Sequence, residues 1–183
     1  MDSKTDLKLK HDLVLKGGRV IDPMQGLDAV RDIAFSGGRV SAVVESLDGA
    51  TAKRVEEVSG KIISPGLIDL HTHVYWGGTG LGVKAEPVAR RSGTTTFIDA
   101  GSAGAGNYAG FQSFIADPTP LHVLGFLNIS FAGICGFSCT TPNMFPECED
   151  IRLLDTAECV RTAREYAHSV VGIKVRIGRY ASG

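Results

Sequence analysis

No stretch of this chain is apolar over the roughly 18 residues that a membrane-spanning helix needs. A transmembrane segment is therefore not expected, nor is a membrane partner. The opening run MDSKTDLKLKHD is polar and charged and has no apolar core of the signal-peptide kind, so the expected location is cytoplasmic. Charge of one sign is also missing. A net charge of -1 offers no surface for a polyanion, so nucleic acid is not an expected partner. Cysteine is sparse: Cys135, Cys139, Cys148 and Cys159 fit neither C-x-x-C nor a zinc-finger spacing. In a cytoplasmic protein they read as reduced thiols, with a structural zinc site as the lesser alternative. With 43% hydrophobic and 21% charged residues the chain has an ordinary globular composition. Its 183 residues allow one sizeable core, or one domain and part of another.

Two segments near the start, LVLKGGRVID (Leu13 to Asp22) and IAFSGGRVSAV (Ile33 to Val43), share a pattern. In each, a Gly-Gly pair separates two β-rich runs. Gly-Gly supplies the positive φ angles of tight hairpins, so the same turn chemistry is expected twice. Two more short runs, Arg54 to Val58 and Lys61 to Ile63, complete a small all-β region over residues 1–63.

From Ser64 the pattern changes to strands alternating with helices, which argues for parallel βα units. Strands are expected at Gly66 to His73, Thr94 to Ala100, Leu121 to Ile129 and Val170 to Ile177. Helices are expected at Pro87 to Arg91, Phe111 to Ala116 and Thr156 to His168, the last capped by Asp155. The stretch from Ala132 to Glu149 reads as loop. A complete (β/α)8 barrel takes about 250 residues. Residues 64–183 have room for about half of one, and a small open sheet fits the same count.

The chemistry concentrates in Pro65-Gly66-Leu67-Ile68-Asp69-Leu70-His71-Thr72-His73. In a strand, residues i and i+2 point to the same face, about 7 Å apart. Two imidazoles at that spacing can turn toward one ion, and imidazole nitrogen suits zinc and similar divalent metals. The preceding residues are apolar enough for a buried strand. The pair would then lie at its C-terminal end, where α/β folds place their sites. The bland alternative is two histidines packing at a strand end. Asp69 shares their face one layer deeper and reads as a structural hydrogen-bonding group. Lys174 stands inside the apolar run VGIKV, where an ammonium is costly unless paired or neutralised. Read on its own, it is a strand-end lysine reaching solvent or a carboxylate. Gly104 to Ala109 satisfies G-x-G-x-x-A, but the next strand lacks the acidic residue that a dinucleotide site wants. A βα loop is the better reading. Asn128 and Ser130 end the third strand and could line a pocket. His11, His122 and His168 read as structural or solvated.

The run PGLIDLHTH closely resembles the first barrel strand of the amidohydrolase superfamily. Similarity continues in SGTTTFIDAGSAG, LGFLNIS and VGIKVRIG. The branch is that of amidohydrolases and deacetylases related to dihydroorotases and D-aminoacylases. The resemblance implies the N-terminal half of a (β/α)8 metal-dependent hydrolase barrel over residues 64–183, preceded by part of a small β-sandwich. It also implies one or two divalent ions, zinc by expectation, held by His71 and His73. Lys174 would be carboxylated by CO2 and bridge two ions. The general acid/base aspartate belongs to the family's eighth strand, so no catalytic acid/base is expected here, and the 183 residues alone are expected to be inactive. Arg176, on the Lys174 face, and Asn128 are the candidates for substrate contact. Small N-acyl or O-acyl substrates are implied, with a homo-oligomer for the full-length protein. Tyr75 stands where dihydroorotase-like relatives usually carry a substrate-binding arginine, which weighs against dihydroorotase activity. The alternative is a non-catalytic scaffold or regulatory subunit that kept the fold.

Overall fold

The computed structural model describes residues 10–137, 140, 145–178 and 182. Cys139, and part of the expected loop, lie outside them. The chain divides into two compact units, Met1–Pro65 and Gly66–Gly183.

The first unit is a five-stranded sheet. β1 (Leu13–Asp22), β2 (Leu27–Ser36), β3 (Arg39–Val44) and β4 (Val55–Glu57) lie in the order β3-β2-β1-β4, and β5 (Ile62–Ile63) also pairs with β1. The antiparallel hairpin β2–β3 turns at Gly37 and Gly38, whose φ angles of 58° and 74° are those of a two-residue primed turn. The first Gly-Gly pair behaves otherwise. Instead of turning the chain it lies inside β1, where the register to β2 slips between Leu15 and Gly18. One extra residue on β1 makes a β-bulge, with Gly17 at φ 73°. The turn comes later, at Pro23–Gly26, where Asp22 accepts hydrogen bonds from the amides of Met24 and Gln25.

A buried carboxylate secures the bulge. Asp32 accepts from the Gly17 amide at 2.9 Å and from the Leu47 amide at 2.8 Å, with the Lys16 ammonium 3.8 Å away. Val14, Val20, Ile33, Ala34 and Val58 form the apolar core of this unit.

The second unit is a parallel sheet in chain order, β6 (Leu67–Thr72), β7 (Thr94–Asp99), β8 (His122–Asn128) and β9 (Val170–Lys174). Each connection carries a helix. α1 (Ala85–Ser92) stops at Gly93, which takes φ 74° and returns its amide to the Ala89 carbonyl. α2 (Tyr108–Phe111) runs into a π turn over Gln112–Ala116. α3 (Thr156–Glu165) begins at Asp155, whose side chain accepts from the Glu158 amide, as its position predicts. α3 and β9 both end three residues before the sequence reading places their ends.

Phe97, Leu127, Tyr108, Phe111 and Cys159 pack in one core beneath the helices. The central strands β7 and β8 are the well-covered ones. The expectation of a buried first strand is not met: Leu67, Ile68 and Leu70 are 54, 60 and 70% exposed. Among the described residues β6 pairs on one side only and β9 forms the other edge of the sheet, with Val171 and Ile173 also exposed. Cys148 and Cys159 are buried free thiols, and Cys135 is a free, exposed one. No helix among the described residues is long and apolar enough to cross a membrane.

Two predictions follow from these packings. Asp32→Ala leaves two amides without their acceptor and should cost about 1–3 kcal/mol in urea denaturation. In the second unit, burial pushes the Tyr108 phenol from 10.0 up to about 12, against the opposing hydrogen bond to Ser169. A phenol raised in the fold stabilises fully below the unfolded value near 10, and that contribution is lost as pH rises through about 12. Tyr108→Phe should therefore flatten the stability profile between pH 10 and 12, leaving a residual slope from Tyr75, which burial also raises.

Candidate metal centre

His71 is the penultimate residue of β6 and His73 lies just past its end, and their ring centroids are 5.8 Å apart in an edge-on arrangement. His71 is exposed and His73 half-buried. Asp69 accepts from the His71 amide at 3.1 Å; it is half-buried, not the buried group that a place one layer deeper implies.

The loop that leaves β7, Asp99-Ala100-Gly101-Ser102-Ala103-Gly104, reaches toward both neighbouring strand ends. Its anchor is Asp99, which is 1% exposed. One carboxylate oxygen accepts from the Val74 amide at 2.8 Å and the other from the Ser102 amide at 2.7 Å. The Ala100 amide donates to the Thr72 carbonyl at 2.7 Å. These bonds tie the segment after β6 to the loop after β7. Ser102, fully buried, then places its hydroxyl 2.9 Å from His73 Nδ1.

The preceding residue serves the other edge. Gly101 takes φ 84°, and a Cβ there would lie 2.5 Å from Lys174 Cγ and 2.6 Å from its Cβ. Glycine lets the lysine stem lie against the loop backbone. Lys174 is the last residue of β9, half-buried, and aligned with Asn128 at the end of β8. Consecutive residues Gly101 and Ser102 thus touch Lys174 and His73. Burial lowers the His73 pKa, with the Lys174 and Arg176 charges contributing and Asp99 opposing. The ring is accordingly held toward its neutral form, whose free lone pair can bind a cation. Burial raises the Asp99 pKa, opposed by the two amide donors.

The two candidates for substrate contact have other engagements. Asn128 is wholly buried; its Nδ2 donates to the Gly101 carbonyl at 3.0 Å and its Oδ1 accepts from the Ser130 amide at 2.9 Å. Its amide is committed to backbone and locks the loop under Lys174. Arg176 lies beyond the end of β9 and donates to Glu147 at 2.6 Å, a carboxylate that is 1% exposed. Tyr75 turns into the core, its hydroxyl donating to the Asn107 carbonyl and its ring meeting Phe111 edge-on. In the G-x-G-x-x-A run, the Gly104 amide donates to the Asn107 side chain and the Gly106 amide to the Phe131 carbonyl. The donors that a pyrophosphate would need are already used.

Sequence reasoning assigned no role to Asp99, Gly101 or Ser102. The available signal was a carboxylate closing the β-rich run TTTFI, followed within two residues by a glycine.

As donors for a divalent ion, two imidazoles within reach of each other suit the chemistry, but they are a partial set. Among the described residues no group of three or more His, Cys, Asp or Glu side chains is placed to hold a metal. Lys174 is a further nitrogen group, and the loop contacts its stem. As an ammonium it cannot ligate; as a carbamate it would offer two anionic oxygens.

No family model matches the chain. It is 33% identical over 153 residues to a deacetylase of Agrobacterium fabrum, covering 83% of this chain and 36% of that protein. It is 36% identical over 159 residues to a deacetylase of Brucella anthropi, covering 85% of this chain and 38% of that one. A crystal structure of a dihydroorotase superposes with a TM-score of 0.78 at 28% identity, covering 93% of this chain and 44% of its own. The chain thus spans less than half the length of these relatives.

The Gly101–Lys174 contact can be measured. Gly101→Ala should cost about 1–3 kcal/mol, from the left-handed φ and the collision together. Gly93→Ala, at a similar φ with open space around it, should cost less. In a Lys174→Gly background the penalty at Gly101 should shrink toward that at Gly93; equal penalties in both backgrounds would mean that the two residues are not in contact.

Proposed function

The chain belongs to the amidohydrolase superfamily, and from that premise we propose that it supplies the metal-holding part of a hydrolase that cleaves an amide or ester. Its second unit is the N-terminal half of the (β/α)8 barrel of such enzymes, and part of a small β-sandwich precedes it. The observation that carries the reading is the loop after β7, which touches His73 with one residue and Lys174 with the one before it.

In this reading His71 and His73 would hold a divalent ion, zinc by preference, and Lys174, if carboxylated, would supply anionic oxygens for a second. When bound, such an ion lowers the pKa of a water and polarises the scissile carbonyl. The chain's own residues do the positioning. Asp99 pins the loop, Ser102 meets one ring nitrogen of His73, and Gly101 and Asn128 hold the stem of Lys174. Arg176, held by Glu147, borders the same strand end and is the group here most suited to meeting a substrate carboxylate. The acid/base aspartate implied by the resemblance belongs to the part of the relatives beyond the matched region. The full reaction is therefore proposed for a protein that includes that part.

The substrate class is small N-acyl or O-acyl compounds, as the names of the two deacetylases suggest. A cytoplasmic location and a homo-oligomeric full-length protein complete the proposal. The second reading, a non-catalytic scaffold, would be favoured by a protein that keeps the fold and binds no metal.

Metal analysis of the purified chain after equilibration with zinc tests the proposal directly. Bound zinc is expected, and His71→Ala, His73→Ala and Lys174→Ala should each lower it at least tenfold in affinity. Zinc retained equally by His71→Ala and wild type would sink the assignment. Acetate release from N-acetyl amino acids by a protein that also contains the rest of the barrel tests the reaction.

A further inference from the structure

We propose that Asn128 is a positioning residue that sets both candidate ligand positions at once, by clasping the loop after β7 on either side of Ser102. The inference deepens the metal-holding reading and rests on it for its purpose, though the clasp stands without it.

Asn128 closes β8, in register with Lys174 at the end of β9, and is wholly buried. Its backbone amide donates to the Ala103 carbonyl at 2.9 Å. Its side-chain Nδ2 donates to the Gly101 carbonyl at 3.0 Å, and its Oδ1 accepts from the Ser130 amide at 2.9 Å. One residue therefore grips the loop at positions 101 and 103. Ser102 is suspended between them, its own carbonyl accepting from the Ile134 amide at 3.0 Å. With both neighbours held, its side chain is aimed, and Oγ lies 2.9 Å from His73 Nδ1. The same grip sets the other edge. Gly101 lies in the notch between Asn128 and Lys174: a Cβ there would stand 3.6 Å from Asn128 Cβ and 2.5 Å from Lys174 Cγ. The Ile129 amide, next along the chain, donates to the Lys174 carbonyl at 2.9 Å. The end of β8 thus holds both the end of β9 and the loop against which the lysine stem rests.

The position calls for a carboxamide. The Gly101 carbonyl only accepts and the Ser130 amide only donates, so a single orientation of the Asn128 side chain serves both. Aspartate has the same shape but offers only acceptors, one of which would face the Gly101 carbonyl. Leucine fills the space and supplies neither bond. Water cannot stand in at a residue that is 0% exposed, so losing the bond leaves a buried carbonyl unsatisfied and lets the loop shift. A ligand set needs its members held to within about 0.5 Å, so a small shift of Gly101 and Ser102 is felt at Lys174 and His73 together.

NMR of the metal-free chain tests the clasp. In the wild type the Asn128 Nδ2 proton facing Gly101 should exchange with solvent about tenfold or more slower than the carboxamide protons of a short model peptide. Exchange at the peptide rate overturns the proposal. In Asn128→Leu the ring signals of His73 and the Cε signal of Lys174 should both move, and zinc affinity should fall about tenfold or more. Leu127→Ala is the control. Leu127 is as fully buried but packs in the core beneath the helices, so its loss should lower stability and leave both signals in place. Unmoved His73 and Lys174 signals in a folded Asn128→Leu protein, or equal movement in Leu127→Ala, would make Asn128 an ordinary core residue and sink the inference. A wild type with the protected proton that binds no zinc would defeat the metal reading and leave the clasp in place.

Discussion

Two hydrogen bonds to Asp99 organise the C-terminal end of the parallel sheet. The Val74 and Ser102 amides converge on one buried carboxylate, so the segment leaving β6 and the loop leaving β7 are tied through a single side chain. Alternatives to this arrangement are poor. Both amides lie where water cannot reach them, and each would be unsatisfied without the acid. Because the bonds run to backbone, they fix the position of the main chain. Once the loop is set, Ser102 must face His73 and Gly101 must lie under Lys174. A group distant in sequence from both candidate ligands thus decides where they stand.

The first unit solves a related problem by the same means. There Asp32 collects the amides of Gly17 and Leu47 beside a bulge in β1. In each unit an aspartate replaces regular ladder pairing at the place where the backbone departs from it. This is the expected use of a short acidic side chain with two acceptor oxygens. The cost of burying charge is offset by the number and geometry of the bonds that it accepts.

The alternation of strands and helices, the His71-x-His73 spacing and the Asp155 cap were legible in the sequence because each depends on residues close along the chain. A two-residue period or a three-residue reach needs no knowledge of the rest of the fold. The Gly-Gly pairs show the limit of such reading. Gly37-Gly38 turns and Gly17-Gly18 does not, although their flanks look alike, because the second outcome depends on Asp32 and on pairing with β2. The exposure of β6 escaped for a similar reason. Leu67, Ile68 and Leu70 are apolar enough for a core, but burial is decided by neighbouring strands rather than by hydropathy. Asn128 read as a pocket-lining amide from its place at a strand end. Only the three-dimensional path of the Gly101 carbonyl shows that its amide is already engaged. Ser102 was invisible for the same reason, since its importance lies wholly in what the fold brings to its hydroxyl.

The position of the two edge strands has a thermodynamic consequence. β7 and β8 carry the covered core, whereas among the described residues β6 and β9 each pair on one side only and have exposed apolar surface. In native-state hydrogen exchange such strands belong to the least protected class, opening before the centre of the sheet. His71 and His73 lie at one edge and Lys174 at the other. A ligand gripped by both would close only when both edges are in place, and so would bind the ordered sheet in preference to every partly opened form. By mass action its occupancy would hold down the margins of the sheet along with its centre.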